Sequence, residues 1–353
     1  MRRGLLFVVG TLLLATAAAP AQSVGTIMLW SRMAAAFRDA ATPALRQLQA
    51  TPASLGEDTA RCLSAAYGVG QAASAAQALV QCRQAAQAKS AWAEMALGRI
   101  YLLGEGVPSD AARGLLHLQR ATMDGAPVAN FLMGMVYEHG SGAVAADTGR
   151  ALTYFEQGAK LGDARCESQL GWMYAVGFGL KPDQHLAAQW FQKAAVQGEP
   201  VGEDGLGIRY LYGRGERRDL ARAEHWFLLA AAQGHGDAAY DLGILYGGLD
   251  KGWPHAPSWI RAAHYFTLAA QQGIYDAQCM LGQLYASGHG VPRDPVRGFA
   301  WMALSQPGSH ICDAHIASLR QHLTPSQMDA ARDQVQSFHP TPHLFSYGTF
   351  ASH

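Results

Sequence analysis

Five side chains of metal-ligand type crowd a short stretch near the C-terminus: His310, Cys312, Asp313, His315 and His322. Imidazole, thiolate and carboxylate are the groups a zinc site draws on. On a helix from about 311 to 323, His315 and His322 share a face and Cys312 lies one turn before His315. Ile316, Leu319 and Leu323 lie on or beside that face, so a packed helix accounts for the pattern and no metal is assigned. The cysteines offer a second chemistry. There are five, Cys62, Cys82, Cys166, Cys279 and Cys312, and an odd number leaves at least one free. Cys62 and Cys82 are the expected disulfide, because they lie on consecutive helical stretches with Ser74 and Gln77 placed as a capping box for the second. Two buried, unpaired thiols would give the same sequence pattern. Catalytic motifs are missing: no H-E-x-x-H, C-x-x-C, G-x-S-x-G or Walker loop occurs. A Ser-x-x-Lys nucleophile is absent too, since Ala86, Gln157, Phe178, Trp190 and Gly248 stand three residues before the lysines. No catalytic residue and no cofactor is therefore assigned.

What holds such side chains follows from composition and repetition. Charged residues make up 15% of the 353, and 27 Lys plus Arg balance 27 Asp plus Glu, which removes the basic footprint of a nucleic-acid binder. Arg2 and Arg3, the apolar run Leu5 to Leu14 and the small residues ending in Ala19-Pro20-Ala21 have the order of a secretory signal, so residues 1–21 are set apart as a signal peptide. Without Arg2 and Arg3, 25 basic residues face 27 acidic ones, a net charge of −2. An uncleaved anchor is the alternative, since no charge appears from Gly4 until Arg32. The chain is therefore expected in an oxidising space, periplasmic or secreted, where disulfides form.

One pattern then recurs. A Gly preceded by Leu or Met and followed three residues later by Tyr occurs at Gly98, Gly134, Gly171, Gly207, Gly243 and Gly282, at intervals of 36, 37, 36, 36 and 39. A second Gly, at 125, 162, 198, 234 and 273, stands nine residues before the next of these. Fifteen residues ahead of the second Gly stand Asp110, Asp147, Asp183, Asp219 and Ser258, with Asp294 opening the last unit. Asp and Ser cap helix N-termini, and Gly ends helices by turning left-handed, so each interval is a helix, termed B. The Leu-Gly-x-x-Tyr segment is a second helix, A, ended by a Gly-x-Gly turn such as Gly104-Glu105-Gly106 or Gly288-His289-Gly290. Those turns follow helices rather than strands, so they are not phosphate loops. From repeat Gly to N-cap the spacing is 12, 13, 12, 12, 15 and 12, so insertions fall in one loop, as in a stacked array. Aromatic pairs Tyr154-Phe155, Trp190-Phe191, Trp226-Phe227 and Tyr265-Phe266 on helix B read as core, packing on alanines such as Ala194-Ala195.

Leu-Gly-x-x-Tyr, then Gly-x-Gly-Val-x-x-Asp, then Ala-x-x-Trp-Phe-x-x-Ala-Ala-x-x-Gly resembles the Sel-one-like repeat family, a relative of the tetratricopeptide repeat. The likeness covers residues 90–305 in six units and departs in the fifth, where Gly247-Gly248 and a longer loop with Trp253, Pro254 and Pro257 replace the Gly-x-Gly turn. It implies an all-α, right-handed superhelical solenoid that binds proteins, often in bacterial envelope signalling, secretion assembly or host interaction. Residues 22–89 are expected to form an N-terminal helical cap with a degenerate repeat, 306–337 C-terminal capping helices, and 338–353 a loose tail. Thr324-Pro325-Ser326-Gln327 opens the last of those helices.

By the same resemblance helix A lines an inner groove, at positions five and two before and two, five and six after the repeat Leu. This selects Trp92, Arg99, Phe131, Met135, Glu138, His139, Arg165, Trp172, Asp204, Ile208, Tyr212, Tyr240 and Gln283 as the residues that hold a protein or peptide ligand. Aromatic and Arg side chains are favoured anchors at interfaces. The competing account is tight curvature, in which these inner faces pack on each other. A cysteine-rich branch of the family is associated with binding or hydrolysing β-lactams, which makes a β-lactam- or peptidoglycan-recognising protein with hydrolase activity the alternative function. This chain lacks that branch's regular cysteine pair per repeat.

Overall fold

The computed structural model describes residues 41, 45–46, 55–67, 75–140, 144–249 and 255–341. The expected signal at 1–21, the cap residue Ser74, the loop residues Trp253 and Pro254, and residues 342–353 lie outside the described residues. From Glu57 to Ser337 sixteen helices follow one another, with no strand among the described residues. The first two, α1 (Glu57–Tyr67) and α2 (Ala75–Gln87), form a pair bridged by the disulfide Cys62–Cys82. Six A–B pairs come next: α3 (Ala91–Leu103) with α4 (Ala111–Met123), α5 (Pro127–His139) with α6 (Thr148–Lys160), α7 (Ala164–Val176) with α8 (Gln184–Val196), α9 (Pro200–Tyr212) with α10 (Leu220–Ala232), α11 (Gly236–Tyr246) with α12 (Trp259–Gln271), and α13 (Tyr275–Ser287) with α14 (Pro295–Ser305). Helices α15 (Asp313–His322) and α16 (Pro325–Ser337) pack on α14 and close the array.

Local chemistry explains the regularity. Asp110, Asp147, Asp183, Asp219 and Asp294 each accept a backbone N–H from the first turn of their B helix, which satisfies donors the helix cannot. Ser258 departs from expectation, because its hydroxyl makes no such bond. What all six share is a backbone bond: the N–H of the capping residue donates to the carbonyl of the repeat Tyr, at 2.7–2.9 Å, from Asp110 to Tyr101 through Asp294 to Tyr285. That clasp closes the A-to-B loop whatever its length, so the fifth unit absorbs three extra residues without losing register. Above the clasp, in every unit but the third, where Leu186 takes the position, an Arg from the B helix lies over the same Tyr ring, as with Arg297 over Tyr285 at 4.5 Å and Arg222 over Tyr210 at 5.4 Å.

Units are joined at two places. The second glycine of the turn is pressed against the preceding B helix: a Cβ on Gly215, at φ +80°, would lie 2.0 Å from the backbone oxygen of Gln184. The interior repeat glycines face the second ring of each aromatic pair, and a Cβ on Gly134 would lie 2.3 Å from Phe155. Phe155, Phe191, Phe227 and Phe266 are fully buried there. The rings thus pack on glycine, and the alanines expected opposite them, Ala194 and Ala230 among them, are buried alongside. The first ring of the pair is half-buried, as Tyr154 stacked on Tyr137 at 5.7 Å shows.

At the C-terminal end Cys279, Phe299, Met302, Cys312, Ile316 and Ala331 make a separate small core. A second disulfide, Cys279–Cys312, ties the cap to the sixth unit. Cys312 is thereby removed from any ligand set, while His310 pairs with Asp313 at 3.2 Å and His322 meets the Ser318 carbonyl. Thr324 and Gln327 form the expected capping box. Residues 338–341, assigned to a loose tail by sequence, are instead seated: Phe338 meets Trp301 edge-on at 5.3 Å, and the Thr341 N–H donates to the Gln271 carbonyl at 2.9 Å.

Candidate functional site

A helices of neighbouring units touch one another, α5 with α7 and α7 with α9, whereas no two B helices pack to the same degree. The array therefore curves with the A helices inside, and their faces form the inner wall. How much of that wall is open depends on the curvature, and the thirteen residues singled out by position divide accordingly.

Six of them are buried: Arg99, Phe131, Met135, Glu138, Asp204 and Ile208. These are corrections to the groove read from sequence, and each has a packing reason. Phe131 lies against Phe155 with ring centroids 6.3 Å apart, and Met135 belongs to the same core. Ile208 joins the core of the fourth and fifth units. Arg99 clamps the N-terminal hairpin onto the first unit, donating to the Ala66 carbonyl at 2.6 Å, pairing with Glu105 at 3.0 Å and lying over the Tyr67 ring. Burial pushes the Glu138 carboxyl up to about 8.

Trp92, His139, Arg165, Trp172, Tyr240 and Gln283 are half-buried. Arg165 is held by Asp163 at 2.8 Å and covers the Phe131 ring. Gln283 donates to the sulfurs of the Cys279–Cys312 bridge, so it serves the cap. Trp172 rests on Phe178, and Tyr240 on Phe266. Tyr212 alone of the thirteen is exposed, at 55%, at the end of α9 with the Arg214 guanidinium over its ring. Of the thirteen, Trp92 and His139 keep some surface at the first two units, and Trp172, Tyr212 and Tyr240 form a row of partly accessible rings on successive A helices.

Behind those rings lies a feature that sequence reasoning caught only at Asp204. Every residue of α9 from Pro200 to Leu211 is buried. Asp204 is fully buried, and neither of its oxygens has a hydrogen bond. Burial, then the charges of Asp241 and Asp237, push its carboxyl well up. Burial likewise pushes Asp241 to about 8 and Asp237 to about 6. Tyr240 is raised by burial first and by Asp276, Asp241 and Tyr212 next. The missed signal was Asp237 and Asp241, four apart and so on one face of α11. At the start of α9 Glu199 accepts the Gly202 N–H at 2.6 Å, and burial holds it at about 7.

The Sel1 repeat family model matches residues 93–125, 127–163, 164–199, 201–235, 236–274 and 276–305, one stretch for each A–B pair. Among solved structures, a Sel1 repeat protein from Oxalobacter formigenes superposes with a TM-score of 0.60 at 27% identity, over 67% of this chain and 95% of that one. A protective antigen of uropathogenic Escherichia coli strains, described as displaying an SLR fold, is also 27% identical, over 82% of this chain and 70% of that one, with a TM-score of 0.48. No curated protein matches the chain.

Proposed function

The chain belongs to the Sel1 repeat family, and from that premise we propose that it is an exported, non-enzymatic scaffold that holds a protein or peptide against the inner wall of its third to fifth units. Sel1 repeat proteins generally serve protein–protein interaction, and the resemblance extends that role to envelope signalling, secretion assembly or host interaction. The observation that carries the reading is the row of rings at Trp172, Tyr212 and Tyr240, left partly in solvent on three successive A helices. Rings of this kind, rigid and with one polar end, are favoured anchors of protein interfaces. Export is supported by the Arg-apolar-small order at the N-terminus and by two disulfides. A hydrolase reading gains nothing from the thiols: Cys166, the thiol left outside both disulfides, is buried, and burial pushes it well up, away from the nucleophilic form.

Capture of partners from an envelope fraction tests the reading. With Trp172→Ala and Tyr212→Ala combined, capture is expected to fall by about tenfold or more. Met123→Ala, at an exposed end of a B helix, is expected to leave it unchanged. Equal capture by all three proteins contradicts a role for the inner wall.

A further inference from the structure

Asp204 on α9 and Asp237 and Asp241, one turn apart on α11, act on one another's charge across neighbouring A helices of the inner wall. No Lys or Arg pairs with Asp204, Asp237 or Asp241 among the described residues. Among the described residues the cationic groups that bear on Asp204 are Arg209, whose charge lowers its carboxyl without pairing with it, and His235, whose Nδ1 stands 3.9 Å away and accepts the Ala238 N–H at 3.3 Å. Arg209, on the same helix, turns instead to Gln184 at 2.9 Å and to the Phe191 ring. A fully buried carboxyl with both oxygens unpaired is costly for the folded chain alone. Asp237 and Asp241 differ from it in one respect: both keep part of their surface in solvent. The arrangement is therefore a layer of acid that can be reached, with unpaired acid behind it, beside the rings of Tyr212 and Tyr240.

We infer that this recess receives a basic side chain of the partner, an ammonium or guanidinium set against Asp237 and Asp241, with Asp204 behind them and the two tyrosine rings at its rim. The inference rests on the reading that the inner wall binds a protein, and it adds the chemistry of what is bound. Charge complementarity favours a cation, and aromatic faces favour a Lys or Arg head over a small ion. A metal ion fits less well, because no three His, Cys, Asp or Glu side chains come together in ligand geometry among the described residues. Binding by a partner side chain also supplies a counter-charge for carboxyls that the fold has withdrawn from water in part, at Asp237 and Asp241, or wholly, at Asp204.

Selection of random linear peptides displayed on phage, against the full chain, tests this. Lys or Arg is expected to be enriched at one position of the peptides that bind. A selected peptide should bind the Asp237→Asn, Asp241→Asn double variant about tenfold more weakly. The same peptide with glutamine for its basic residue should lose a similar factor, a result independent of how the variant folds. Thermal unfolding of the variant is expected at or above the wild-type temperature, since two carboxyls whose charged form burial penalises have been replaced. Peptides that need Trp172 and Tyr212 but show no basic enrichment overturn the cationic recess and leave the groove standing. A selection that enriches no peptide overturns both. Displacement of the peptide by spermidine at equal concentration would identify a free polyamine as the occupant and overturn the assignment to a partner side chain.

Discussion

Raising the pH from about 4 to about 8 is expected to destabilise this protein by several kcal/mol, the reverse of ordinary acid denaturation. The cause is the set of buried carboxyls. Burial pushes Asp237 to about 6, Glu199 to about 7, Glu138 and Asp241 to about 8, and Asp204 well up. In the unfolded chain the same groups release their protons near pH 4. Between those values the folded state holds protons that the unfolded state has lost. The unfolding free energy therefore falls with rising pH, by roughly 1.4 kcal/mol per pH unit for each such carboxyl, until its folded-state value is passed. Below about pH 4 both states are protonated, and these groups contribute no slope. Thermal unfolding followed by circular dichroism should give a midpoint that drops from about pH 4.5 to about pH 8. Glu138→Gln should match wild type at the acid end and exceed it at the alkaline end. A midpoint that rises or stays level across that window contradicts the burial of these carboxyls.

Phe191→Ala is expected to cost about 4 kcal/mol, near the upper end for a core aromatic. The ring is fully buried and joins two units. A Cβ on Gly171 in its own unit would lie 2.8 Å from it, and one on Gly205 in the next unit 2.4 Å. Arg209 of that next unit lies over its face at 5.6 Å. Truncation therefore opens a cavity at a junction, where neither helix can close in without parting from the other. The adjacent Trp190→Ala, at a half-buried ring, should cost less than half as much. Urea unfolding of the two variants measures the difference, and equal costs would contradict the packing of Phe191 across the junction.

The elements were legible because each is specified within one repeat. Asp110 and Asp294 cap, Gly104 and Gly288 terminate in the left-handed conformation, and the fifteen-residue spacing sets the length of helix B. The Sel1 repeat boundaries follow from the same residues. What the period does not contain is the rotation between units. That rotation decides whether a given A-helix position faces solvent or the next helix, which is why Phe131, Met135 and Ile208 sit in the core while Tyr212, at a helix end, does not. The Cys279–Cys312 bridge was hidden for a related reason, since it joins the last repeat to a cap that does not repeat. Ser258 occupies an N-cap position by spacing yet makes no side-chain capping bond, and it keeps only the clasp to the Tyr246 carbonyl.

Photocrosslinking in the native cell tests the central claim most directly, with a photoreactive residue placed at Tyr212 on the inner wall or at Ile260 on the outer helix α12, both well exposed. The expected result is a discrete protein adduct from position 212 and none from 260. Adducts of equal yield from both positions, or from 260 alone, would contradict the account.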